Sequence, residues 1–286
     1  MKLIKTGKVK DIYEKCADTL IFSFSDRVSA FDVILEDKIP YKGKVLCDFT
    51  VFWFERLKHK NHFIGKISPT MIEVKKLEIL PIECVVRAYL YGSLYSRYLD
   101  NKLNLTEMNE YFENPSLHLA SKLPRLLFDP TTKSDEHDEF VNEALILKNK
   151  LITSSEFNFL KNSSIDLFNK VNLVVSAADF ILSDIKFEFG RDLNTGEILL
   201  ADSIGPDEFR IWNRNEYRLG SVQESYDKQV LRDWLEEIGF KREVEECIKL
   251  NIKPKPPRLP SSLISKISDR YICAYERITG LRFEKV

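Results

Sequence analysis

The sequence predicts an α+β protein built as two lobes. Three observations carry this reading. The N-terminal third is rich in short β-branched and aromatic runs bounded by polar residues. The remainder mixes helical periodicity with one long charged hairpin. At 286 residues, 44% of them hydrophobic, the chain has enough apolar material for two lobes. The boundary is drawn after residue 80. Residues 1–80 form an antiparallel sheet lobe, and residues 81–286 form a larger mixed α/β lobe.

Taken in order, "LIKTGKVKDIYE" predicts strand, turn, strand, and "DTLIFSFSD" and "IECVVRAYL" predict two further strands. Between those two, "KVLCDFTVFWFERLKH" has helical spacing, with Leu46, Phe49, Phe52 or Trp53, and Leu57 on one stripe. "NPSLHLASKLPRLLFDPTTKSDEHDE" carries Pro and polar clusters and reads as a long loop. Helical periodicity returns in "FVNEALILKNKLITSSEFNFLKNSSIDLFNKVNLVVSAA". The turn "RDLNTGE" offers Asn194 and Gly196 for positive φ. "SYDKQVLRDWLEEIG" reads as a helix with Leu231, Trp234, Leu235 and Ile238 inward and Gly239 as its stop. A Pro-rich linker, "NIKPKPPRLPSS", leads to a last amphipathic helix ending at Gly280.

Lys plus Arg (43) balance Asp plus Glu (44), which argues against a bulk nucleic-acid or membrane-surface binder. No apolar run approaches a membrane span, and the N-terminal segment lacks the apolar core of a signal peptide. Cys16, Cys47, Cys84, Cys247 and Cys273 are scattered and odd in number, as expected of reduced thiols that fill core space. A cytoplasmic protein is expected.

The hairpin carries the most chemistry. In "SDIKFEFG", Asp184, Lys186 and Glu188 alternate with Ile185 and Phe187, so the charged side chains share one strand face. The return strand "EILLAD" brings a second acid, Asp202. Two carboxylates plus waters and a phosphate suit Mg²⁺. A solvated strand face with a Lys–Glu ion pair explains the segment equally well. "PDEFR" adds Asp207 and Arg210, which a phosphate-bearing substrate would use.

In "TGKVKD", Gly7 permits close backbone approach, and Lys8 and Lys10 could cover a triphosphate. Neither a P-loop nor a dinucleotide fingerprint occurs. Arg87 ends an apolar strand, and Gly92 and Ser93 open a helix, an arrangement suited to a phosphate monoester or to an ordinary N-cap. Asp26, Arg27, Ser29 and Asp32 fall in one loop. Asp129, Lys133, Asp135, His137 and Asp138 fall in another, where His137 has no second His at ligand spacing. Asp11 and Asp179 read as structural.

"GKVKDIYE", "SDRVSAFDVIL", "IPYKGKVL", "IECVVRAYLYGS", "FDPTTKSDEHDE", "LSDIKFEFG", "LADSIGPDEFRIW" and "SYDKQVLRDWL" together resemble the SAICAR synthetase (phosphoribosylaminoimidazole-succinocarboxamide synthase) family, in its longer form. The resemblance runs over nearly the whole chain. It implies two lobes around an ATP cleft, analogous to kinase-like and ATP-grasp-like arrangements. It also implies a ligase that uses ATP and Mg²⁺ to join L-aspartate to the carboxylate of an aminoimidazole ribonucleotide in purine biosynthesis, through an acyl phosphate. By resemblance, Glu188 and Asp202 hold Mg²⁺, Lys8 and Lys10 cover the phosphates, and Lys76, Leu77 and Leu80 border the adenine. Asp184 and Lys186 face the reacting carboxylate, or the amino group beside it. Arg87, Ser93 and Arg210 take the ribonucleotide phosphate, with Asp207 near the ribose. Asp32, Asp129 and Lys133 are the candidates for aspartate. The implied partners are these small molecules, with no nucleic acid or membrane, and the chain acts as a monomer or homodimer.

Two rival readings remain at this point. "SDIKFEFG" also resembles the D-x-K motif of inositol phosphate kinases, although Glu188 stands where a Gly would follow. A catalytically dead nucleotide-binding regulator is the other, against which both acids and both lysines are retained.

Overall fold

A single glycine shapes the first hairpin. Lys2–Thr6 (β1) and Lys10–Cys16 (β2) pair antiparallel. Between them the Gly7 N–H donates to the Lys10 carbonyl at 2.8 Å. A Cβ on residue 7 would stand 2.8 Å from that same oxygen, so no larger residue fits. Thr19–Phe24 (β3) continues the meander, and Arg27–Ala30 (β4) with Val33–Lys38 (β5) makes a separate two-stranded ribbon. Lys42–Arg56 (α1) follows, then Phe63–Ser68 (β6) and Met71–Lys75 (β7). The five-stranded sheet runs β1-β2-β3-β7-β6. The predicted stripe of α1 is its buried face: Leu46, Phe49, Trp53 and Leu57 are all buried, with Trp53 and not Phe52 completing it. Phe22, Phe24, Leu46, Cys47, Ile72 and Val74 close a core between helix and sheet.

The computed structural model describes residues 1–103, 117–133 and 140–285. They form two compact units. The first comprises residues 1–79, 190–207 and 226–286, and the second residues 80–189 and 208–225. Compactness therefore does not follow chain order, since two later segments group with the N-terminal residues.

In the second unit, Leu77–Tyr89 (β8) enters at Leu80 and leads to Gly92–Leu99 (α2). Lys122–Phe128 (β9) and Thr131–Thr132 (β10) both pair antiparallel with β8. These strands correct the expectation of one long loop. Pro124 suggested a breaker, but the recorded pairing of β9 is to β8 alone, and an edge strand tolerates a missing N–H. Asp135, His137 and Asp138 lie outside the described residues. Glu143–Lys148 (α3) and Ser154–Ala177 (α4) follow, the latter opened by a Thr153–Glu156 capping box. Phe180–Asp192 (β11) neighbours β8 and pairs with Phe209–Asn213 (β13). Its final residues, from Gly190, belong to the first unit, where they meet Ile198–Ala201 (β12). The turn between β11 and β12 uses Gly196 at φ 73°. Asn194 is not among the positive-φ residues; instead the Asp192 carboxylate accepts from the Asn194 and Thr195 N–H groups.

The C-terminal part of the first unit holds Gln229–Glu237 (α5), Phe240–Lys249 (α6) and Ser261–Thr279 (α7). Leu231 and Leu235 are buried as expected, while Trp234 is half-buried and Ile238 is exposed. The helix stops one residue before Ile238, and Gly239 at φ 82° reverses the chain into α6, which was not predicted. Gly280 at φ 72° ends α7 as expected.

Candidate active site

In the second unit the charged face of β11 is real. Ile185, Phe187 and Phe189 are buried on the other side, while Asp184 and Lys186 are half-buried and Glu188 is 6% exposed. Neighbouring strand β8 contributes a residue the sequence reading did not single out. Lys186 Nζ donates to Glu83 Oε1 at 2.5 Å and to Glu188 Oε1 at 3.1 Å. Lys133 also pairs with Glu188, and the Thr131 hydroxyl donates to Glu83 at 3.2 Å. Two glutamates and two lysines thus alternate in one network. The signal for Glu83 was its place in "IECVVR", an acid inside an apolar strand, two strand pitches from Arg87.

Arg87 is 5% exposed. Its Nε donates to Asp129 at 2.5 Å and its Nη2 to the Ser93 hydroxyl at 2.9 Å. Arg97, one helical turn beyond Ser93, donates to the same Asp129 oxygen at 2.5 Å. Burial pushes the Asp129 carboxyl up, but the charges and hydrogen bonds of Arg87 and Arg97 outweigh it and hold the group below the usual carboxylate range. Asp129, a candidate for the aspartate pocket, is therefore a buried anchor for two arginines. Arg210 donates to Asp184 at 2.5 Å and lies over the Tyr91 ring, 5.2 Å from its centroid. Gly92 sits at φ 56°, and a Cβ there would come within 2.8 Å of the Arg210 guanidinium. Arg87, Ser93 and Arg210 thus converge near the N-terminus of α2.

In the first unit Lys8 pairs with Asp32, and both are exposed. Lys10 is 8% exposed, lies 4.9 Å from the Phe22 ring centroid, and donates to Asp202 at 2.5 Å and Ser203 at 3.1 Å. Asp202 adopts φ 64°, a left-handed conformation that costs an L-residue about 1 kcal/mol. Asp11, read as structural, holds Arg27 with both carboxylate oxygens, and Arg27 also donates to the Gly7 carbonyl at 3.1 Å. Lys76 turns its side chain to Glu14, and Leu77 presses on Gly190, where a Cβ would stand 2.7 Å away. Leu80 is buried in the second unit.

Asp207 departs from expectation. Its side chain is 4% exposed and receives Lys42 Nζ at 2.8 Å and the Tyr271 hydroxyl at 2.8 Å, with Lys228 at 3.7 Å. Burial raises its carboxyl, yet the two lysine charges prevail and hold it far below the usual range. The carboxylate is thereby tied to α1 through Lys42 and to α7 through Tyr271. Burial pushes the Cys47 and Cys84 thiols up to about 12, which leaves them uncharged. Among the described residues no group of three or more His, Cys, Asp or Glu side chains stands ready to hold a metal.

The SAICAR synthetase family model matches residues 3–247. The chain belongs to the SAICAR synthetase family. A relative from Nitrosopumilus maritimus, phosphoribosylaminoimidazole-succinocarboxamide synthase, is 44% identical over 98% of this chain and 99% of its own length. The Corynebacterium ammoniagenes protein of the same name is 37% identical over 98% and 95%. Among solved structures, the Saccharomyces cerevisiae SAICAR synthase complexed with SAICAR superposes with a TM-score of 0.81 at 30% identity, covering 98% of this chain and 95% of that one. A SAICAR synthetase in complex with ADP gives 0.73 at 27% identity, covering 98% and 99%. The α+β architecture is thus that of the SAICAR synthetase family. None of these relatives bears a kinase name.

Proposed function

We propose that this protein is an ATP-dependent ligase that joins L-aspartate to the carboxylate of 5-amino-1-(5-phospho-D-ribosyl)imidazole-4-carboxylate, giving SAICAR, ADP and phosphate in purine biosynthesis. The observation that carries the reading is family membership over almost the full chain, together with the charged face of β11. The ADP and SAICAR complexes of related structures support the substrate classes.

A carboxylate is a poor electrophile, so the γ-phosphoryl group activates it and the aspartate amine then displaces phosphate. The work left to the protein is positioning and charge neutralisation. Arg87, Ser93 and Arg210 take the ribonucleotide phosphate, with Arg97 and Asp129 behind Arg87 and Asp207 anchoring the turn that leads to Arg210. Lys186, held between Glu83 and Glu188, orients the reacting carboxylate beside Asp184. Lys8 and Lys10 cover the ATP phosphates, residues 1–80 supply the ATP-covering lobe, and Lys76, Leu77 and Leu80 border the adenine. Residues 81–286 supply the ribonucleotide site. Asp32, Asp129 and Lys133 are the candidates for the incoming aspartate, Asp129 acting through the two arginines it holds.

Glu188 and Asp202 are hard oxygen donors, each already matched to an ammonium group. Either carboxylate, once its lysine gives way, offers the kind of oxygen ligand that Mg²⁺ takes one or two of before completing its shell with phosphate and water. Bound there, Mg²⁺ would neutralise charge on the transferring phosphoryl group. The protein acts in the cytoplasm on small molecules, as a monomer or homodimer; no described helix is long and apolar enough to cross a membrane.

The order of chemistry is tested with ¹⁸O in the substrate carboxylate. Activation through an acyl phosphate transfers one labelled oxygen to the released phosphate. Unlabelled phosphate rules that route out, even with the ligase product confirmed. Absence of L-aspartate-dependent ADP release overturns the ligase assignment itself.

A further inference from the structure

We infer that His62 is a positioning residue for Asp202, fixing the strained backbone from which the Asp202 carboxylate projects. The inference rests on the proposed role of Asp202 toward Mg²⁺ and ATP phosphate.

His62 is 2% exposed and no step proposed above uses it. Its Nε2 lies 3.2 Å from the Asp202 carbonyl oxygen. A carbonyl only accepts, so Nε2 carries the proton in this contact. Asp202 has φ 64°, a left-handed conformation that Asp visits more readily than most residues but that still costs energy and is held by its surroundings. Two side chains from elsewhere in the first unit grip it: His62 takes the backbone oxygen and Lys10 takes the carboxylate at 2.5 Å.

The imidazole is itself held rigidly. Phe22 and Phe54 meet it edge-on, each with ring centroids 5.5 Å away and interplanar angles of 69° and 89°. Its backbone is stitched to the strand that ends just before Asp202. The Leu200 N–H donates to the Lys60 carbonyl at 3.0 Å, and the His62 N–H donates to the Leu200 carbonyl at 3.0 Å. The ring is thus confined by two aromatic edges, and its backbone is registered against the strand leading to Asp202. Phe22 also lies under Lys10, so one aromatic ring orients both groups that hold Asp202. A histidine kept only to fill space would need neither the polar contact nor this registration. Groups behind a metal-binding carboxylate set its orientation, and their loss weakens metal affinity about tenfold or more.

The test measures ADP binding to the full chain by calorimetry, with and without Mg²⁺. His62→Leu removes the donor and keeps an apolar body between the two rings. It should weaken ADP binding in Mg²⁺ about tenfold and leave Mg²⁺-free ADP binding unchanged. His62→Gln retains an N–H donor and should recover most of the loss. In an Asp202→Asn background, His62→Leu should add no further loss. Should His62→Leu not fold, His62→Phe takes its place, and equal Mg²⁺-dependent binding by the Phe and Gln variants overturns the inference. Equal weakening by His62→Leu with and without Mg²⁺ also overturns it, reducing His62 to packing while the reading of Asp202 stands. If Asp202→Asn itself leaves Mg²⁺-dependent ADP binding intact, the metal reading fails and takes the His62 inference with it.

Discussion

Arg87 and Lys8 each hold an aspartate, in opposite surroundings. The Arg87–Asp129 pair of the second unit is 6% and 2% exposed and is joined by Arg97. The Lys8–Asp32 pair of the first unit is 44% and 42% exposed. In the first case water is excluded, the carboxylate fixes two guanidinium groups, and the positive charge is aimed before any ligand arrives. In the second, water competes with the pair, and such contacts are worth about 0–1 kcal/mol. An anion can take Lys8 from Asp32 at little cost, whereas Arg87 stays on Asp129. On the proposed roles of these residues, the two units offer cations to ligands by different means, one preformed and one released on demand. Lys10–Asp202, at 10% and 21% exposure, lies between these extremes.

The largest effect is expected at that intermediate pair. Asp202→Asn preserves shape and removes charge, and should lower turnover on the order of a hundredfold or more at saturating ATP and Mg²⁺ while the fold persists. Near-normal turnover would refute the metal role.

Breaking the buried pair should act on stability as well. Asp129→Asn strands two arginines in a dry site and should cost about 3 kcal/mol in a urea titration at neutral pH. The same variant sharpens the comparison through pH. The folded-state carboxyls of Asp129 and Asp207 are depressed, so the stability they contribute is complete above the ordinary carboxylate pKa and is lost as pH falls through their lower values. Wild-type unfolding midpoints should thus decline below about pH 4. Asp129→Asn should flatten that decline, and an unchanged slope would show that the depression is not coupled to folding.

Gly92→Ala is a subtler probe of preformed cations. The added methyl meets the Arg210 guanidinium and requires φ 56° of an alanine. KM for the ribonucleotide should rise about tenfold, with KM for ATP unmoved. A rise in KM for ATP instead places Arg210 on the triphosphate. The smallest effect belongs to the exposed pair. Lys8→Met should shift unfolding by less than about 1 kcal/mol, because the pair is solvated. Its activity cost should appear in KM for ATP alone, and a change confined to KM for the ribonucleotide would reassign it.

Period and spacing alone made several features legible. The two-residue alternation of Asp184, Lys186 and Glu188 against Ile185 and Phe187 fixes which side chains face the core, because strand geometry is local. The α1 stripe and the stops at Gly239 and Gly280 follow from equally local rules. Arg87 with Ser93 was legible because strand end and helix start are adjacent in the chain.

What the chain order could not contain were partners distant in sequence. Glu83 reaches Lys186 only because β8 and β11 are neighbours. Arg97 and Arg87 share Asp129 only because β9 returns along β8. Asp207 has the composition of a ligand and becomes an anchor because α1 and α7 bring Lys42 and Tyr271 to it. His62, in a stretch of ordinary polar residues, acquires meaning only from Asp202 and two phenylalanines. Local sequence determines which groups line one face of an element. Which of those groups are desolvated, paired or left to meet a ligand depends on side chains far along the chain, and tertiary packing alone brings these together.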